Sequence, residues 1–219
     1  HLKYASVIEN SEKDYLTENE LSKIRLISDF TKNYPRIKEN CSLYSGIEAI
    51  GVSKIYHKYS YLSDNNIVVL DIEISFEASG RSNRIGQDRI DILLYDLKSK
   101  TLKFVEAKHY SNKEVWSNTC PKVVGQIKKY EKQIKKNKKE IIAAYKNYIE
   151  AINEIFGLRL PVPEKVEENV TLLIFGFDDD QKKGRLQKLI LKNPAFKGFH
   201  LYYKQNKINP TTLWNAKPL

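Results

Sequence analysis

Two apolar segments, RIDILLYDL (89–97) and LKFVEAKHY (102–110), flank the four-residue polar stretch KSKT. A strand with one wet face alternates apolar and polar residues. These two carry apolar residues at both parities, so each must be covered on both faces. Joined by so short a turn, they form an antiparallel β-hairpin. A hairpin buried on both sides needs a layer above and a layer below, which points to an α/β architecture with helices flanking a central sheet. Into this apolar hairpin the sequence places Asp91, Glu106 and Lys108. With 98–101 as the turn, Asp91 stands directly opposite Lys108, and Glu106 shares the face of Lys108 because side chains alternate with period two. Charges so placed are costly unless they pair, coordinate or catalyse.

The remaining chain supplies the layers. Residues 15–35 read as an amphipathic helix, with Thr17 and Glu20 in capping-box spacing, a stripe of Leu21, Ile24, Ile27 and Phe30, and Pro35 as its stop. Residues 36–65 carry no clear period; within them SGIEAIGVSKIYHKY (45–59) reads either as a short helix with glycine breaks or as an irregular connection. Residues 66–78 alternate, with Val68, Leu70, Ile72, Ile74 and Phe76 on one face and Asp71, Glu73 and Glu77 on a wet one. A polar loop, 79–88, leads into the hairpin. Pro121 opens one long helix from 122 to about 156, whose apolar residues recur at three- and four-residue steps. PVPEKVEEN is a linker, VTLLIFGF (170–177) a buried strand, 178–193 a turn and helix, and FHLYYKQN (199–206) a last strand. The expected organisation is a single domain over 1–219: a helical part (1–65), a core (66–206) and a C-terminal tail (207–219).

An Asp, a Glu and a Lys gathered on one patch suit metal-assisted phosphodiester hydrolysis. Two carboxylates are a typical protein share of a Mg²⁺ shell, and a neighbouring ammonium offsets charge growing on phosphoryl oxygens. Glu106–Lys108 is the one E-x-K in the chain, and Gln126–Tyr130, on the helix that follows, is the one Q-x-x-x-Y. This order of Asp, apolar strand, turn, E-x-K strand and Q-x-x-x-Y helix resembles the PD-(D/E)XK nuclease superfamily, and within it the RecB-type branch. The resemblance is strong over roughly residues 66–135. It implies a restriction endonuclease-like fold, with a central mixed sheet whose antiparallel hairpin carries D…E-x-K between flanking helices. It also implies Mg²⁺ or Mn²⁺ as cofactor, with Asp91 and Glu106 as metal ligands and Lys108 as the catalytic lysine. Gln126 and Tyr130 would brace the site and touch substrate. A further metal-binding acid would come from the first helix, either Glu20 or, if 45–56 is that helix, Glu48. The family's usual proline before the aspartate is absent, because Ile90 precedes Asp91; Asp88 is out of register with Lys108.

The net charge of +10 favours a polyanionic partner, and the resemblance makes that partner DNA. Arg81, Arg84 and Arg89 approach Asp91 from the preceding loop, and Lys128, Lys132, Lys135 and Lys139 form a helical stripe that can track phosphates. RNA as substrate and a catalytically inactive nuclease-like nucleic-acid-binding module are the alternatives. Many such enzymes act as homodimers, although the sequence carries no dimer signal. No apolar run reaches the roughly 20 residues of a membrane span, and no basic segment followed by an apolar stretch opens the chain as in a secretory leader. Two distant cysteines, Cys41 and Cys120, fit a reduced, cytoplasmic protein. The DDD at 178–180 reads as a helix cap, and His57, His109 and His200 as structural.

Overall fold

The strand Thr101–His109 is covered on both faces, as its composition requires, and the sheet is built around it. A computed structural model describes residues 46–75, 89–117, 119–205 and 207–219. Among these, β1 (Ile67–Ser75), β2 (Arg89–Asp96), β3 (Thr101–His109), β4 (Lys165–Val166), β5 (Thr171–Phe175) and β6 (Leu201–Lys204) form one mixed six-stranded sheet. Its order is β1-β2-β3-β5-β6, with two-residue β4 also pairing β3. β1, β2 and β3 run antiparallel in succession; β4 and β5 lie parallel to β3, and β6 lies parallel to β5. The helices are α1 (Ile47–Tyr59), α2 (Lys122–Lys136) and α3 (Lys138–Phe156). On one face, Leu93, Tyr95, Leu102 and Phe104 pack with Val123, Ile127 and Tyr130 of α2 and Ile141, Tyr145 and Ile149 of α3. On the other, Ile92, Leu94, Val105 and Ala107 pack with Val52 and Ile55 of α1 and with Leu213. The protein is thus α/β, a mixed sheet flanked by helices, and Gly51–Leu219 pack as one unit. Among the described residues no helix is long and apolar enough to cross a membrane.

The hairpin turn falls one residue earlier than expected. β2 ends at Asp96 and β3 begins at Thr101, so the pairs are Ile92↔Val105 and Asp96↔Thr101. The Asp96 carboxylate fixes this turn, accepting from Lys98 N at 3.0 Å and Ser99 Oγ at 2.7 Å. Lys100 takes the left-handed conformation with φ 54°, a position that glycine or asparagine usually marks. Continuing the register puts Asp91 level with Glu106 rather than Lys108, a correction of two residues. A two-residue shift keeps every side chain on its face, whereas a one-residue shift would have reversed them all.

Three other expectations change. β1 does not alternate throughout: a register irregularity between Val69 and Asp71 turns Ile72 toward α1. Glu73, in the left-handed conformation with φ 57°, breaks the alternation again, so that Ile74 packs toward α2 and α3. Val68, Val69 and Leu70 are all buried, so its first half has no wet face. The single helix over 122–156 is two helices broken at Asn137 (φ −105°, ψ 24°), whose N–H donates to Gln133 O at 2.9 Å. The apolar stripe passes from Ile134 to Ile141, two turns apart, so its period hides the break. The stretch 207–219 contributes to the core through buried Ile208 and Leu213, the latter on the helical turn Pro210–Trp214, and the Trp214 carbonyl accepts from the buried Lys103 ammonium at 2.7 Å. The helix expected over 15–35 and the loop bearing Arg81 and Arg84 lie outside the described residues. The residues 45–59 left open between two readings form α1 from Ile47 onward, with Gly51 where a Cβ would run into the Phe175 ring.

His200 supplies a pH test of this packing. Burial, aided by Lys103, holds its pKa below the usual 6.5, with Glu167 opposing. The unfolded chain therefore binds the proton more readily below pH 6.5, and stability falls as pH drops from 6.5 toward the folded-state value. Urea midpoints measured at pH 7.5 and 5.5 should fall less in His200→Asn than in wild type; equal falls would remove His200 as the source.

Candidate active site

Glu106 and Lys108 project from β3 on the same face as Leu102 and Phe104, toward the α2–α3 layer. They are 1% and 7% exposed. Lys108 Nζ lies 2.9 Å from Glu106 Oε1 and 3.0 Å from Glu114 Oε2. Burial opposes the charge on Lys108, but the two carboxylates, Glu106 above all, outweigh it and hold the ammonium above the usual lysine range. Asp91 reaches the same strand differently. The β2–β3 pairing stops at Ile92↔Val105, and beyond it Asp91 Oδ2 accepts the Ala107 backbone N–H at 2.7 Å. A side chain thus replaces a ladder bond where the two strands part, and it brings the Asp91 carboxylate to the backbone between Glu106 and Lys108.

Glu114 has no precedent in the sequence pattern. After β3 the chain turns through Asn112 N→His109 O (2.8 Å) into a short 3₁₀ turn, Lys113–Val115. Asn112 caps that turn by accepting from Glu114 N at 2.9 Å, and fully buried Val115 anchors it. Trp116 Nε1 ties the next residue down by donating to Tyr110 O at 2.7 Å. Glu114 sits on a loop, where no hydrophobic period places a side chain. Asn112 as a cap two residues ahead and Val115–Trp116 as anchors were the available signal.

The Q-x-x-x-Y pair acts on the start of β2. Gln126 Nε2 donates to Tyr130 Oη at 2.9 Å, and Tyr130 Oη donates to the Arg89 carbonyl at 2.5 Å, two residues before Asp91. Tyr130 is 1% exposed, so its hydroxyl braces β2 from within the core rather than facing solvent. Gln126 hydrogen-bonds to Tyr130 and to none of the three charged groups. Tyr130→Phe removes the donor to a carbonyl under the site and should lower stability by about 1–2 kcal/mol, read from chemical denaturation; an unchanged midpoint would show that the hydroxyl carries no load.

Arg89 is exposed and pairs with Glu73 at 3.3 Å. Lys128 and Lys132 stand exposed on α2, with Lys128 Nζ 5.8 Å above the Phe199 ring. Asp71 of β1 accepts from Tyr145 Oη at 2.9 Å. Asp178 caps the following helix with Gln181 in a reciprocal capping box. Glu48 lies in the first turn of α1, whereas Glu20 and Arg84 lie outside the described residues. Asp91 and Glu106 offer two hard carboxylate donors, the set that suits Mg²⁺ or Mn²⁺ with water and substrate oxygens completing the shell. Among the described residues, no three His, Cys, Asp or Glu side chains gather as a metal cage. Searched against family models, characterised proteins and solved structures, the chain matches none of them.

Proposed function

We propose that this protein is a divalent-metal-dependent nuclease that hydrolyses DNA phosphodiester bonds. The observation that carries the reading is the buried pair Glu106–Lys108 on an otherwise apolar strand, with the Asp91 carboxylate delivered to the intervening Ala107 N–H. Stability alone gives little reason for it, since apolar residues of similar volume generally serve a core as well as a buried ion pair or better. Asp91 and Glu106 would hold Mg²⁺ or Mn²⁺, which when bound polarises a phosphoryl oxygen and acidifies a water. Lys108 offsets the negative charge that develops on the phosphoryl oxygens, in a setting dry enough for that charge to count. Glu114 keeps the ammonium aimed when Glu106 turns to another partner. Tyr130 and Gln126 keep β2, and with it Asp91, from drifting.

Purified protein incubated with supercoiled, linear and single-stranded DNA, with and without Mg²⁺ or Mn²⁺, should cleave at least one substrate only with metal. Wild type and Lys108→Ala sharing the same trace activity on every DNA would end the proposal; activity confined to RNA would reassign the substrate. Glu114→Gln should lower cleavage roughly 10–100-fold, the range for partners that orient an active-site group. Its stability should move by less than about 1 kcal/mol, because Glu114 is half-exposed.

One observation favours a second reading, a nuclease-like nucleic-acid-binding module without catalysis: Lys108 is already bridged by two carboxylates. Titration calorimetry separates the two, since the module would take up neither Mg²⁺ nor Mn²⁺ even with DNA present.

A further inference from the structure

The strand β6 forms the edge of the sheet opposite β1. Along it runs an open groove, lined among others by Lys58, Tyr59, Tyr202, Lys204, Lys207 and Thr212. Its lysines come from three places: the last turn of α1, the end of β6 and the segment beyond it. All three are exposed, none makes an ion pair among the described residues, and no acidic side chain lines the groove. The aromatic wall is held in place: Lys58 Nζ stands 5.1 Å over the Tyr59 ring, and Tyr202 Oη is 2.9 Å from Thr212 Oγ1.

Edge strands commonly carry a lysine that discourages pairing with other chains. That accounts for Lys204, but not for Lys58 from a helix or Lys207 from a loop. Three ammonium groups around one groove, with no acid among its lining residues, give it a positive field that favours an anionic occupant. The groove reaches the charged site's end of the sheet at Lys204, on the sheet edge, while its α1 and Tyr202 side covers the face opposite Glu106 and Lys108. Lys204 pairs with Phe175, and Phe175 with His109, the neighbour of Lys108. Two strand spacings, about 10 Å, separate Lys204 from His109 along that row.

We propose that this groove binds the sugar–phosphate backbone of a nucleic acid, sequence-independently, and guides it to or from the Asp91–Glu106–Lys108 site; the second half of this statement rests on the nuclease reading. Binding is phosphate-led. It calls for polynucleotide length rather than a single nucleotide.

The test uses the full chain in EDTA, so that binding is read without cleavage. Fluorescein-labelled 20-nucleotide single strands and duplexes of mixed sequence serve as probes, followed by anisotropy from 25 to 300 mM salt. Wild type should bind with a steep salt dependence. The triple variant Lys58→Gln, Lys204→Gln, Lys207→Gln should bind at least tenfold more weakly at low salt, its log–log slope shallower by about 2–3, near one unit per lost phosphate contact. A charge-matched control, Lys188→Gln, Lys192→Gln, Lys197→Gln, should keep the wild-type slope. Equal slopes for the two triple variants would overturn the groove, as would wild-type binding to a polyglutamate peptide as tight as to DNA, which would assign an acidic protein partner instead. The two readings fail separately. Groove-dependent binding with no cleavage under any metal sinks the nuclease and keeps the groove; metal-dependent cleavage unaffected by the groove variant does the reverse.

Discussion

Lys108→Met should reduce metal-dependent cleavage by roughly 10²–10⁴-fold, because it removes the charge that offsets the developing phosphoryl charge in a buried site. The same substitution should also lower folding stability. Glu106 is 1% exposed and loses the ammonium 2.9 Å away. Breaking a buried pair from one side typically costs about 3–5 kcal/mol. The lower end, about 3 kcal/mol, applies here because the Glu114 side of the cluster is open to solvent and screened. A divalent ion held by Glu106 would replace the missing positive charge. Mn²⁺ should therefore raise the thermal midpoint of Lys108→Met more than that of wild type. A variant with full activity excludes the catalytic role; one whose midpoint ignores Mn²⁺ excludes Glu106 as a ligand.

Asp91 has two tasks that substitutions can separate. Its Oδ2 accepts the Ala107 N–H at 2.7 Å, and Ala107 is fully buried. Asp91→Ala leaves that N–H without its acceptor, at a cost of about 1–3 kcal/mol. Asp91→Asn keeps an acceptor oxygen and should stay within about 1 kcal/mol of wild type. It removes a charged metal donor, however, and a metal contributes several kcal/mol to such a transition state. At about 1.4 kcal/mol per factor of ten, cleavage should fall roughly 10²–10³-fold in both variants. Asp91→Asn cutting at the wild-type rate would leave Asp91 only its structural role.

The faces of the hairpin were legible because period two is a property of the strand itself. Burial at both parities of 89–97 and 102–110 required the two covering layers, and Glu106 and Lys108 had to share a face whatever the register. The register was not legible. The turn uses Lys100 at φ 54° where glycine or asparagine would have announced it, and Asp96 holds it by side-chain bonds that no pattern reports. The irregularity at Val69–Asp71 and the break at Asn137 escaped for a similar reason: neither is flanked by glycine or proline, and the apolar stripe of the helices runs straight through.

By itself, then, the sequence determined the α/β class, the buried hairpin, the shared face of Glu106 and Lys108, and the pairing of Gln126 with Tyr130, because each follows from the period of a single element. Only the tertiary structure decided that Asp91 meets β3 through the Ala107 N–H, that Glu114 shares Lys108, and that lysines from α1, β6 and the following segment line one groove. Those depend on where strands part, where a loop lands and which ends of separate elements meet, and such distances are set by packing between segments that carry no common period.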